Sequence, residues 1–427
     1  MTTSRWQRGL VIFSLICAGE AIFTLPYHVT RFFRPTFLEV FDLTATELGV
    51  AQSAYGFVAM VAYFFGGPLA DRYEPRVLMA GSLWATAAGG LYLASFPDLV
   101  GVMLVWGFFG LTSILLFWAA LIKVTRAWGG DNQQGMAYGL LDGGRGLLAA
   151  VLASVGVFVF SAAFPLGYDE ATLVQKGVIL KQVIYGYTAV TAGVGVMVWL
   201  TLRGLGEDAN PASRPSPSQV VEHLKSVVRL KVVWLQTAVV VCAYTSYKAF
   251  DQYALFAVRG HGLDEIDAAE IVTIGAWTRP IAALVLGILG DRWGISRMAA
   301  VCFVLLIISH SLFAFTGTAL SSLTMIMLNT VVTGVAIFGL RGLYFGLLQE
   351  GRIPLAQTGT AVGVVSVIGY TPDVYVAAVA GFLIDQNPGL LGFQHLFIML
   401  LVFSIVGALA ALQFPKYVQC ARDHTTA

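Results

Sequence analysis

The chain has 427 residues, 57% of them apolar and only 11% charged, with a formal net charge of +1. About a quarter of the residues of a soluble domain are charged, so the composition excludes an ordinary soluble enzyme, and the near-neutral balance excludes a nucleic-acid partner held by basic charge. The four cysteines, at 17, 242, 302 and 420, suit neither a metal site nor a disulfide framework.

A membrane helix needs roughly 20 apolar residues, and twelve such runs fit along the chain. The ~10-residue alternating segments of a membrane barrel are absent. Span one is predicted from Gly9 to Val29. Glu20 interrupts its apolar run and no small-residue cleavage pattern follows, which argues against a removable signal peptide. Spans two to six are predicted at Leu48 to Leu69, Val77 to Phe96, Leu99 to Ile122, Met136 to Ala162 and Val178 to Leu202. A polar stretch with Pro211, Pro215 and Pro217 then reads as a linker. Spans seven to twelve follow at Val232 to Ala257, Ala269 to Leu289, Met298 to Phe315, Leu323 to Leu347, Thr358 to Ile384 and Phe393 to Leu412. The expected fold is an all-α polytopic membrane protein with twelve transmembrane helices in two pseudo-symmetric six-helix halves, 1–202 and 228–427, joined by a cytoplasmic linker at 203–227. Most Lys and Arg fall on segments that share a side with the N-terminus, which predicts both termini in the cytoplasm.

One charged turn occurs twice. Gly67-Pro68-Leu69-Ala70-Asp71-Arg72-Tyr73 separates spans two and three, and Gly287-Ile288-Leu289-Gly290-Asp291-Arg292-Trp293 separates spans eight and nine. Small residues let helices approach closely there. The acid can accept from a neighbouring helix start and the base can hold a helix end or a lipid phosphate. With the two six-span halves and the inside linker, these turns resemble the signature of the major facilitator superfamily. Gly67, Leu69, Ala70, Asp71, Arg72, Tyr73 and Arg76 match it, Glu74 and Pro75 depart from it, and the second copy keeps Gly294. The resemblance implies an alternating-access transporter of the cell membrane, with Asp71, Arg72, Asp291 and Arg292 as conformational latches. It also implies that spans one, four, seven and ten form the core of a cavity, with two, five, eight and eleven beside them. The proline-bearing signature of drug-proton antiporters is missing from Gly139 to Gly146.

Charges inside these spans mark candidate sites, because a charge at the centre of a membrane helix costs about 2.5 to 3.5 kcal/mol on translocon scales. Arg279 sits near the middle of span eight, before Pro280, whose missing donor exposes a carbonyl. A broken helix beside a fixed cation suits an anion, with Trp277 supplying stacking; the competing reading ties Arg279 to an acid of a neighbouring span. The resemblance points the same way, since some organic-anion carriers of the family place an arginine in this span. Asp142 and Arg145 are three apart on span five and can pair, as substrate contacts, a gate or static packing. Lys248 and Asp251 repeat that spacing on span seven beside Tyr244, Tyr247 and Gln252, either as a substrate site in which a bound anion exchanges with Asp251 for the lysine and the tyrosines add hydrogen bonds, or as aromatic packing with Lys248 snorkelling toward the outer interface.

Glu20, in an otherwise apolar stretch, is the leading proton carrier, and a partner such as Arg145 or Arg279 would instead make it structural. Asp373, after Pro372 in span eleven, competes for the role, with Asp142 and Asp251 behind it. Arg341, near the inner end of span ten, reads as a gate or an anchor. His28, Arg31 and Arg34 read either as a basic entrance that attracts anions or as solvated loop charges. No nucleotide loop and no Cys/His metal array occurs, so neither cofactor nor metal is expected. The expected function is secondary transport of a small organic anion, in symport with protons, by a monomer in a bacterial inner membrane. The alternatives are a carrier or exporter of neutral sugars or zwitterions, an anion exchanger, and a non-transporting sensor.

Overall fold

The computed structural model describes residues 5–129, 134–164, 171–203, 217–317, 322–353 and 355–423. Every regular element among them is helical. Ten helices are long and apolar enough to cross a membrane. Two 19-residue helices, Pro75–Leu93 and Lys231–Ala249, take the places of spans three and seven. At 1.5 Å per residue, each reaches about 28 Å, close to the thickness of a hydrocarbon core. The chain is an all-α multi-pass membrane protein with twelve helices in two six-span halves. Most of the polar stretch read as a linker, 204–216, lies outside the described residues.

Helix starts follow from local chemistry. Thr44 and Glu47 form a reciprocal capping box ahead of Ala45–Arg72, and Thr172 and Gln175 do the same ahead of Leu173–Thr201. The Asp98 side chain accepts from the amide of Gly101 at the start of span four.

The two charged turns differ in backbone. Gly294 takes φ +100°, a conformation that favours glycine. Its counterpart Glu74 is extended, and Pro75 opens the next helix. The departure of Glu74 and Pro75 from the family signature therefore reflects a different turn geometry.

By packing, the chain divides into two compact units. The first comprises 1–209, 251–280 and 373–385, and the second 210–250, 281–372 and 386–427. In the first unit, a core of Leu15, Ala18, Ile22, Met79, Leu83, Phe117 and Leu121 unites spans one, three and four. Gly49 and Gly56 of span two face the backbone of Ala377 and Asp373 on the helix Pro372–Gln386, and Gly381 of that helix faces the carbonyl of Ala45. A β-carbon at any of the three would collide with main chain. In the second unit, Ile295–Phe315 packs on Leu323–Leu343 and on the long C-terminal helix Leu390–Asp423.

A buried charge cluster as the candidate site

Span one is irregular where its polar residues lie. Its first helix, Arg5–Ala21, ends in a turn, and a π-helical segment, Thr24–His28, follows with Pro26 inside it. Eight residues of regular helix would separate Glu20 and His28 by about 12 Å of rise. Across the irregular turn, His28 Nε2 lies 3.2 Å from Glu20 Oε1. Both side chains are buried.

The other oxygen of Glu20 meets two guanidinium groups. Arg145 Nε of span five is 3.4 Å from Oε2, and Arg279 Nη1 of span eight is 3.7 Å from the same atom. Asp142 lies one turn from Arg145, and its Oδ1 is 3.9 Å from Arg145 Nη1 and 3.4 Å from Arg279 Nη2. The Asp142 side chain is 46% exposed, whereas those of Glu20, Arg145 and Arg279 are buried to 10% exposure or less. Two glycines make room for the arginines: a β-carbon at Gly19 would stand 2.9 Å from Arg145 Cδ, and one at Gly146 would stand 3.1 Å from Arg279 Cγ. Arg145 also lies over the rings of Phe23 and Trp118, at 5.5 and 5.7 Å from their centroids.

Four of the charges singled out in the sequence, Glu20, Asp142, Arg145 and Arg279, thus meet in one place. Arg279 is tied to acids of neighbouring spans, as its competing reading anticipated. One expectation about its surroundings needs correction. The helix Glu265–Trp293 runs through Pro280 without interruption, so the proline omits one hydrogen bond without parting span eight into two segments. Trp277, partly exposed, donates its indole N–H to Ser154 Oγ at 3.0 Å.

A second correction concerns His28, Arg31 and Arg34. They are buried, not solvated loop charges. His28 belongs to Glu20, and Arg31 bonds Asp251 at 2.5 Å. Arg34 is fully buried, and its two terminal nitrogens each lie 3.4 Å from Gln52 Oε1. Burial pulls its guanidinium down to about 10; Asp251 and Asp385 oppose that pull and Arg259 adds to it.

In the second unit, Arg341 Cζ lies over the ring of Tyr247, 4.1 Å from its centroid, and 5.8 Å from that of Tyr244. Tyr244 packs against Tyr370, whose hydroxyl is 3.3 Å from that of Tyr344. Lys248 is buried. Asp373 opens the helix after a break at Tyr370-Thr371 in span eleven. An apolar pocket of about 370 Å³ lined by Trp234, Thr237, Val241, Val402 and Phe403 contains no charged side chain and offers an ionic cargo no partner.

At the charged turns, Arg72, Asp291 and Arg292 are exposed; the side chain of Asp71 lies outside the described residues. Lys123 of span four donates to the carbonyl of Ala70 at 2.8 Å. In the second turn, Glu350 accepts from the amide of Ser296 at 2.8 Å and from its hydroxyl. Glu265 was missed altogether. It is buried at the start of span eight and accepts from the amide of Thr36 at 3.3 Å, but in sequence it stands among acids of a polar helix start.

Comparison with known proteins agrees with this architecture. The Major Facilitator Superfamily profile matches residues 13–375. Inner membrane protein YihN of Escherichia coli (strain K12) is 26% identical, with 97% of this chain and 96% of that protein aligned. Inner membrane protein YqcE of the same organism is 24% identical over 93% of this chain and 92% of its own length. Among solved structures, a bacterial homologue of the human lysosomal transporter Spinster, inward-facing and unoccupied, superposes with a TM-score of 0.72 at 14% identity, covering 98% of both chains. The nucleoside transporter NupG gives 0.68 at 15% identity, covering 96% of this chain and 98% of its own. The chain belongs to the Major Facilitator Superfamily and is a secondary transporter, not an enzyme.

Proposed function

We propose that the protein moves a small organic anion by alternating access, in symport with protons, across a bacterial inner membrane with both termini cytoplasmic. The observation that carries this reading is the convergence of Arg145 and Arg279 on one oxygen of Glu20, with half-exposed Asp142 beside them. Two cations and two carboxylates balance in a medium where an unpaired charge is costly. An arriving carboxylate competes first with Asp142, the solvated member, and takes a forked pair of hydrogen bonds from Arg279. Three negative groups would then face two positive ones, and a proton on Glu20 restores the balance. Substrate and proton occupy the site together and leave together, which is coupling. Asp373 and Asp251 are secondary proton sites, the latter already held by Arg31. Trp277 completes the substrate contacts beside this cluster; in the second unit Lys248 and Tyr247 are substrate contacts in their own right, and Arg341 with the two charged turns controls access.

One observation favours a second reading: the cluster is neutral as it stands, which suits a neutral or zwitterionic cargo that leaves the ion pairs closed. A thermal-stability screen of the purified protein against anionic, neutral and zwitterionic metabolites separates the two, because a ligand stabilises the state that binds it. The anionic hit should bind Arg279→Lys more weakly and Arg279→Gln at least tenfold more weakly, since lysine keeps the charge and loses the planar fork. An anion bound by Arg279→Gln with parental affinity would overturn the assignment, and stabilisation by neutral compounds alone would favour the second reading.

A further inference from the structure

We infer that the buried guanidinium of Arg34 is a binding site for a small monovalent anion, chloride or a carboxylate, separate from the Glu20 cluster. Arg34 follows span one and has no solvent exposure. Its two terminal nitrogens share one neutral acceptor, Gln52 Oε1, at 3.4 Å each, beyond the usual range of an N–H···O bond. Its Nε meets no acceptor among the described residues. Gln52 is oriented from its other end, where Nε2 donates to Thr30 Oγ1 at 3.1 Å.

The acids around Arg34 are committed elsewhere. Asp251 bonds Arg31. Asp385 accepts from the amide and hydroxyl of Thr46 at 2.6 Å each and from the amide of Ala45 at 3.3 Å, and it stands 3.8 Å from Arg259. Among the described residues, the guanidinium groups of Arg31, Arg34 and Arg259 outnumber the carboxylates of Asp251 and Asp385 that lie with them, and Arg34 is the one of the three with no solvent exposure. Buried charges without a counter-charge are strongly disfavoured. With glutamine at position 52, no carboxylate among the described residues pairs with Arg34, and the charge-assisted bonds that Arg34 lacks come from a mobile anion. Gln52, on its two long contacts, is the neighbour such an anion displaces. One excess charge selects a monovalent ion over sulfate or phosphate.

The test uses the full chain in detergent at constant ionic strength, with chloride replacing gluconate, which is too bulky for a buried guanidinium. The unfolding temperature of the parent should rise saturably with chloride and respond less to sulfate. A formate series assigns the source: a matching rise identifies a carboxylate site, and no rise identifies a halide site. Gln52→Glu places a fixed carboxylate on Arg34, so it should unfold without chloride at the temperature of the chloride-saturated parent and lose the chloride response. Arg34→Gln should lose the response as well; if it does not fold, Gln52→Glu decides. Arg279→Gln should keep the full response, which separates this site from the transport site. A parent without a saturable chloride effect, or a Gln52→Glu protein that retains it, overturns the inference.

Discussion

Glu20 lies between two guanidinium groups and a histidine, and its removal differs in kind from removal of its neighbour Asp142. Glu20→Gln leaves two buried cations with one half-exposed carboxylate. Breaking a buried pair costs about 3 to 5 kcal/mol, so the unfolding temperature of the purified protein should fall by many degrees. Asp142→Asn removes a solvated partner and should cost about 1 kcal/mol or less. Equal losses in the two variants would show that the cluster is not buried around Glu20. Sequence could single out both acids and both arginines, because charge in an apolar run is costly wherever it sits. It could not pair them, since Glu20, Arg145 and Arg279 are brought together by three different spans.

At the scale of elements, local irregularity concentrates in spans that the family resemblance assigns to the cavity. Span one has a π segment at Thr24–His28, span four at Leu111–Trp118 and span seven at Phe256–Gly260. Such segments free backbone groups and redirect side chains, as His28 illustrates. Composition gives little warning of them beyond Pro26 in span one. The close approach between span two and the helix Pro372–Gln386 depends on glycine. Gly56→Leu and Gly381→Leu should each lower the yield of monodisperse protein, because forced overpacking costs about 1 to 3 kcal/mol or more. Gly139→Ala, where a β-carbon would meet nothing within 4 Å, is the neutral control in the same size-exclusion assay. At the end of span two, Lys123→Met removes the donor to Ala70 and should speed amide exchange in that last turn, with a stability change of about 1 kcal/mol. Unchanged exchange there would exclude Lys123 as a cap.

For the whole molecule, the repeated turns carry the test of alternation. If the turns act as latches, Asp71→Asn or Asp291→Asn should leave insertion intact and shift the balance between inward-open and outward-open states, since each removes the negative charge of one copy of the turn. Distances between paired spin labels, one in each sequence half, report that balance. Unchanged distances together with unchanged transport would reject the latch role.

Sequence alone determined the membrane fold and the twelve spans, because hydrocarbon admits helices whose apolar length matches its thickness, and those lengths are written along the chain; the superfamily was legible from the resemblance of the repeated charged turns to its signature. It also singled out Glu20, Asp142, Arg145 and Arg279 as charges inside spans, for the same energetic reason, but not Glu265, which stands in a polar helix start. Tertiary structure alone decided that Glu20 faces two arginines and His28, that Arg31 takes Asp251, and that Arg34 is left with a glutamine. Those pairings join residues 18 to 259 positions apart on separate elements or lie across an irregular turn, and neither spacing nor hydropathy encodes which faces of separate helices meet. Pro280 marks the same boundary: its effect on one hydrogen bond is local and legible, but the continuity of span eight through it is seen only in the folded chain.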